Sequence, residues 1–303
     1  MFHASDPRSQ LARASSPAGT ASQFAAASYN RFYADPPQIE TATEKTWLAR
    51  GVNFVVAYSV VQPGAVLARP DQVDEYAVIL PDEGGCGVTV AAGTETLAVA
   101  PFSIAFVPPG PSRLDVTAAG RVIRVFSSAS ADLNAACGNA AAFAGPSPHV
   151  KPFQPWPHPA TWAIRAYSLK VGTQSGRFGR IFRCSTVMIN FLDPRIGLRD
   201  ITKLSPHHHD DFEQGSLVID GGFVHDIRWP WVPDMRAWRD DEHELLAAPS
   251  LTVIPPPAVH TSRSVLPGFN QMIDIFSPPR ADFSKQPGWV LNADDYPVPA
   301  DPA

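Results

Sequence analysis

From Thr46 onward the hydrophobic positions come in short runs of four to eight residues, cut apart by Pro and Gly. In the first half the runs lie at 53–60, 75–80, 86–90, 102–107 and 122–126. In the second they lie at 185–192, 216–219, 223–229, 251–254, 259–265 and 271–276. Runs of this length, rich in β-branched residues and bounded by turn formers, predict strands packed as a sandwich or barrel. Between the two series, 131–145 is Ala-rich and predicts a short helix. Residues 146–159 carry Pro146, Pro148, Pro152, Pro155, Pro157 and Pro159, which predicts a stiff crossing segment. The charged stretch 234–246 predicts a turn and short helix inserted between strands. Residues 5–28, rich in Ala, Ser, Gly and Gln without clear period, predict a flexible arm or a poorly specified helix. The Pro- and Asp-rich tail from Ser277 predicts a segment that wraps the surface.

The two strand series repeat one another in detail. In the first half, Glu75 opens an apolar run, and Val107-Pro108-Pro109-Gly110-Pro111-Ser112-Arg113 follows. In the second, Glu213 or Gln214 opens a run ending in Gly221, and Ile254-Pro255-Pro256-Pro257-Ala258-Val259-His260 follows. The repeat divides the chain into an N-terminal arm (1–45), a first barrel (46–130), a linker (131–160), a second barrel (161–280) and a tail (281–303).

Composition sharpens this picture. A chain of 303 residues that is 45% hydrophobic can bury a large core. Its 32 Pro fit turns between strands far better than helix interiors. With 24 basic and 29 acidic residues the net charge is -5, which provides no footprint for nucleic acid or an anionic membrane. The longest apolar stretches, such as 52–61, are too short and interrupted to span a bilayer. Arg8 and Arg13 have no apolar run behind them, so no secretory signal is expected. Cys86, Cys137 and Cys184 are odd in number, far apart and in no paired spacing. They read as buried or free thiols in a reducing compartment, and a soluble cytoplasmic protein is expected.

The histidines carry the chemistry. Six of the nine fall within 207–260. In Ser205-Pro206-His207-His208-His209-Asp210-Asp211-Phe212-Glu213-Gln214, strand alternation puts His207 and His209 on one face and turns His208 away. With His260 from the later turn there are three imidazoles, and with a carboxylate from the next strand an N₃O set. That set suits Fe(II), Mn(II), Ni(II), Zn(II) or Cu(II). Asp210 and Asp211 read as turn caps, and His243 as a surface residue.

Here the sequence resembles the cupin superfamily. Its first motif is His-x-His, three or four residues, Glu, six residues, Gly; its second is Pro-x-Gly-x-x-His. The chain supplies His207-x-His209, an acidic region and Gly221, then Pro255-x-Pro257-x-x-His260. Pro257 stands where the second motif has Gly, and Ile201 and Pro249 stand where each motif opens with Gly. The resemblance covers most of 47–277 and implies an all-β fold of two tandem jelly-roll barrels with few short helices. Counting back from Gly221 selects Gln214 as the inward residue, whereas counting forward from His209 selects Glu213, which would turn inward through a bulge. Both stay candidates.

In the first half Arg69-x-Asp71 replaces His-x-His and Arg113 replaces the second-motif His. A guanidinium is no ordinary metal ligand, so this barrel is expected to bind no metal, with Glu75 and Arg113 as a buried ion pair in its place. Around the second site, His225 is expected in the barrel as a catalytic or substrate-binding group. Arg228 and Arg263 are candidate anchors for an acidic substrate, and Asp226 or His225 candidates for acid–base work. Trp229 and Trp231 are expected to pack between the barrels.

The resemblance implies one divalent transition metal, with Fe(II) favoured, and a small oxygen-rich organic substrate. A non-haem Fe(II) dioxygenase leads. A metal-dependent isomerase or lyase of a sugar acid, or a ligand-binding bicupin without catalysis, are the alternatives. Exposed barrel edges make a homodimer plausible.

Overall fold

The structure is a computed structural model describing residues 24–300 apart from Pro146, Pro148 and Pro233. Most of the expected flexible arm, 5–23, therefore lies outside the described residues. Four antiparallel sheets form two halves. The large sheet of the first half runs, in spatial order, Arg165–Ser168, Ser103–Val107, Tyr76–Leu80, Gly120–Ser127, Phe54–Val61, Glu44–Arg50 and Ile39–Glu40. Its small sheet runs Val66–Gln72, Gly110–Val116, Val88–Ala92 and Glu95–Val99.

The second half repeats the plan. Its large sheet runs Ser28–Asn30, Ser250–Ile254, Gln214–Asp220, Phe269–Phe276, Met188–Phe191 and Arg180–Arg183, with Arg195–Ile196 also on Phe269–Phe276. Its small sheet is Glu242–Ala247, Gly222–Arg228 and Val259–Ser264. The order makes Tyr76–Leu80 the counterpart of Gln214–Asp220, and Ser103–Val107 the counterpart of Ser250–Ile254.

Each half lends the other an edge strand. Ser28–Asn30 precedes the first barrel yet pairs with 251–253 in the second. Arg165–Ser168 follows the linker yet pairs with 103–106 in the first. The stretch expected as a free arm through residue 45 thus holds a strand of the second barrel and, at Ile39–Glu40, one of the first. The linker supplies the expected helix, Ala131–Ala136, and a 3-10 turn at Ala140–Phe143. In 234–246 the helical part is a single 3-10 turn, Met235–Ala237, and Glu242–Ala247 is a strand. Exposure alternates along that strand, with His243 and Leu245 outward and Glu242, Glu244 and Leu246 more covered, as an edge strand with one packed face requires.

Strand alternation sorts the side chains into layers. Val56 and Ile79 of the first large sheet meet Leu217, Ile219, Ile273 and Ile275 of the second in one core between the barrels. The opposite face of the first large sheet, with Val55, Tyr76 and Val78, packs on Val90 and Leu114 of its small sheet, and the buried Arg124, Ser59 and Ser112 share that largely apolar interior. The second barrel gathers its buried polar groups in one place. Residues on the face opposite Leu217 and Ile219 include Gln214 and Ser216, with Asp274 directly across from Ser216, and all three are buried. A polar interior of this kind is expensive unless every group is partnered, so it marks where the molecule keeps its chemistry.

Candidate metal centre

His207 and His260 form an isolated antiparallel bridge in which each backbone N–H donates to the other's carbonyl, at 3.1 and 2.7 Å. That pairing brings the two imidazoles to 4.4 Å between ring centroids, with His209 at 5.1 and 5.2 Å from them. One nitrogen of each lies within 4.8 Å of the others. His209 and His260 are buried and His207 half-buried.

The tautomers are set by the backbone. His207 Nδ1 lies 2.9 Å from the Ser205 carbonyl, and His260 Nδ1 lies 2.9 Å from the Ala258 carbonyl. A carbonyl only accepts, so in each ring Nδ1 carries the proton and Nε2 keeps its lone pair. This is the outer hydrogen bond that ligating histidines characteristically make.

Gln214 completes the cluster. Its amide nitrogen donates to Ser216 Oγ at 3.0 Å and to Asp274 Oδ1 at 3.2 Å. Ser216 Oγ also donates to Asp274 Oδ1, at 3.0 Å. With its nitrogen committed, the amide turns Oε1 toward the imidazoles, 3.1 Å from His209 Nε2 and 3.5 Å from His260 Nε2. Three clustered imidazoles, two of them with Nδ1 held by a backbone carbonyl, and a carbonyl oxygen form a donor set that fits a divalent transition metal.

The cluster opens into a cavity of about 190 Å³ lined by His207, His260, Gln214 and Asp274. Arg177, Arg195 and Arg199 also line it, as do the apolar Leu192, Phe223 and Met272. The volume is below the roughly 300 Å³ at which clefts for drug-sized ligands begin, so it takes a small molecule.

No protein-family model and no curated protein matches the sequence. Among solved structures, the chain is similar to an oxalate decarboxylase–formate complex from Lactobacillus farciminis, with a TM-score of 0.56 at 12% identity over 86% of this chain and 89% of that one. An oxalate decarboxylase from Bacillus subtilis gives 0.54 at 12% identity over 85% of this chain and 78% of that one. The chain has the two-barrel cupin fold.

Within the bicupin frame, Glu213 and Gln214 separate cleanly. Gln214 begins its strand facing inward, and Glu213 lies outside it. The Glu213 carboxylate accepts hydrogen bonds from the backbone N–H groups of Val52 (2.9 Å) and Asn53 (2.7 Å) in the first barrel. A Cβ on Gly51 would come within 2.5 Å of Glu213 Oε1, so any other residue there would have to push the carboxylate from its place. Glu213 is therefore not brought to the imidazoles. The register count from Gly221 picks the inward residue because Gly221 ends the strand with φ +75, where a Cβ would strike Asn270 Oδ1 at 2.3 Å.

The proposed substrate anchors are corrected by alternation. Gly222–Arg228 places Phe223, His225 and Ile227 on the buried side, which puts Asp226 and Arg228 outside. Arg228 is exposed and paired with Asp241 at 2.6 Å. Arg263 pairs with Asp226 at 2.9 Å, and Asp226 also meets His243 Nδ1 at 2.7 Å. These side chains form an ion-pair group outside the barrel, so Asp226 is not placed for acid–base work. The cations that do line the cavity, Arg177, Arg195 and Arg199, lie on loops and a two-residue strand with no hydrophobic period to place them.

His225 is inside and fully buried, with Nδ1 2.8 Å from Ser262 Oγ, although it does not line the cavity. Burial, aided by the neighbouring His260, pushes its imidazole down to about 3, so it stays neutral. The tryptophans do not lie between the barrels: Trp229 packs with Phe24, Ile227, Ile254 and Ala258 at one end of the second, and Trp231 is exposed against Trp238.

The expected Glu75–Arg113 pair is not formed. Arg113 is exposed and bound to Asp115, while Ser112 turns inward and meets Tyr76 Oη at 2.9 Å. A bulge between Gly110 and Ser112 shifts the register by one, so Ser112 sits opposite Arg69 as His260 sits opposite His207. Arg69 binds Asp132 and Gln72. Glu75 accepts from Ser185 N (3.0 Å), Ser185 Oγ (2.8 Å) and Tyr296 Oη (2.7 Å). All three cysteines are buried and free. No helix among the described residues is long and apolar enough to cross a membrane.

Proposed function

We propose that the protein is a metal-dependent bicupin enzyme that holds one divalent transition metal on His207, His209 and His260 and acts on a small, oxygen-rich organic acid. The observation that carries this reading is the gathering of the three imidazoles, one ligand atom of each within 4.8 Å of the others, with Nδ1 of His207 and His260 held by backbone carbonyls. When bound, a divalent ion supplies Lewis-acid polarisation of a substrate oxygen or activation of a small oxygen ligand. The remaining work falls to this chain. Gln214 presents a neutral oxygen beside the imidazoles, and Asp274 and Ser216 hold it in that orientation. Arg177, Arg195 and Arg199 attract an anion to the mouth, and Leu192, Phe223 and Met272 keep water from one wall.

A donor set of imidazoles and a neutral amide leaves the ion its full charge, which favours an anionic substrate. The finer reading is a non-haem Fe(II) dioxygenase. The second reading, a metal-dependent isomerase or lyase, needs the same residues but no oxygen. Elemental analysis, followed by oxygen-uptake assays in air and parallel assays under argon, tests both. One metal per chain with substrate-dependent oxygen uptake supports the dioxygenase. Activity under argon supports the isomerase or lyase, and a protein that retains no metal after supplementation overturns the proposal. A homodimer through the edge strand Glu242–Ala247, which exposes Leu245, belongs to the same reading and is checked by light scattering.

A further inference from the structure

One wall of the cavity is hydrocarbon. Phe223 and Met272 belong to a single apolar group with Val218, against which Leu192 packs. Leu192 N–H also donates to the Met272 carbonyl at 3.3 Å, which holds the two residues together. The mouth is different in kind. The Arg177 guanidinium donates to the neutral carbonyls of Gly179 and Gly172, and with Arg195 and Arg199 it outnumbers the carboxylates of the same lining, Asp193 and Asp274, of which Asp193 pairs with Arg180 at 3.5 Å.

A ligand made wholly of oxygens would satisfy the imidazole side and the mouth but would face Leu192, Phe223 and Met272 with polar atoms that find no partner. That mismatch disfavours it relative to a ligand with an apolar part. We propose that the substrate is a small monocarboxylate with an oxygen on its α-carbon and a short apolar side chain. Its oxygens face the imidazoles and the cationic mouth, and its side chain covers Leu192, Phe223 and Met272. The cavity, at about 190 Å³, limits the side chain to a few carbons. This assignment rests on the reading of the histidine cluster as a metal centre.

The test is calorimetric titration of the full-length protein loaded with Co(II), using 4-methyl-2-oxopentanoate, pyruvate and oxalate as probes. Each buried methylene strengthens binding by roughly fourfold, so the branched acid is expected to bind at least about tenfold more tightly than pyruvate. Oxalate should bind no better than pyruvate. Met272→Gln, close in volume to the native residue, and Leu192→Asn at the strand end should each shrink the preference severalfold with one cobalt per chain retained. Equal binding of the three acids by cobalt-loaded protein overturns the substrate assignment and leaves the metal reading standing. So does a preference that survives both substitutions. Failure to take up cobalt overturns the metal reading, and the substrate assignment falls with it.

Discussion

Glu75 and Glu213 stand at equivalent positions, one residue before the matching strands Tyr76–Leu80 and Gln214–Asp220, and each carboxylate is bound by the other barrel's turn. Glu213 takes the Val52 and Asn53 amides of the first barrel, and Glu75 takes Ser185 N and Oγ of the second. The pair forms a reciprocal clamp across the apolar layer between the large sheets. Glu213→Ala leaves two amide donors without their acceptor and is expected to cost about 3 kcal/mol in urea unfolding. Glu75→Ala should cost a similar amount, because Tyr296 Oη also loses its partner.

The pH dependence follows from two buried groups that pull in opposite directions. Burial pushes the Glu213 carboxyl up to about 7 from 4.5, against its two amide hydrogen bonds. The folded chain therefore holds that proton more tightly than the unfolded chain, and stability from this group falls as pH rises through the window. His225, pushed down to about 3 from 6.5, binds its proton less tightly when folded, so its contribution is lost as pH falls. Relative to the native protein and as pH rises, Glu213→Gln should gain stability from pH 4.5 to about 7, and His225→Asn should lose it from about 3 to 6.5. Urea midpoints at four pH values check both slopes, and a constant difference across the range would contradict them.

Metal removal should destabilise the native protein and leave the ligand variants unaffected. A metal at one hundred times its dissociation constant adds about 2.7 kcal/mol to the folded state. Thermal unfolding with and without a chelator is expected to differ for the native chain and to coincide for His207→Ala and His260→Ala. Elemental analysis of the same samples should show the bound metal lost in both variants.

Gln214→Glu offers a test of the amide's orientation. The amide nitrogen that donates to Ser216 and Asp274 becomes an acceptor facing another carboxylate. The metal-free variant should be destabilised by about 2 kcal/mol, and a bound cation should restore more than it does in the native chain. A larger metal-induced rise in unfolding temperature for the variant is the expected result. An unchanged rise would mean that the residue does not face the ion.

Much of the site was legible in the sequence because it rests on local rules. His207, His209 and His260 came from strand alternation and a Pro-rich turn, and the Gly221 count pointed to Gln214. The error over Arg228 and Arg263 also had a local remedy: placing His225 inward puts Arg228, three residues on, outward, and Ser262 opposite His225 turns Arg263 away. The one-residue bulge beside Ser112 hid the displacement of Arg113, since a bulge leaves no trace in spacing alone. Arg177 and Arg199 sit on loops, where no period exists to read. The interbarrel hydrogen bonds of Glu75 and Glu213 join residues more than a hundred positions apart, beyond any local pattern.

The exchanged edge strands also constrain the order in which the protein can be completed during synthesis. The first barrel's sheet lacks its outer strand until Ser168 has left the ribosome. Asn30 emerges early and must wait for Leu251, made 221 residues later. A strand made before the first barrel therefore closes the second, and the second holds the histidine cluster. A ribosome stalled in the linker would release a chain with one sheet unfinished and one strand with nothing to pair against.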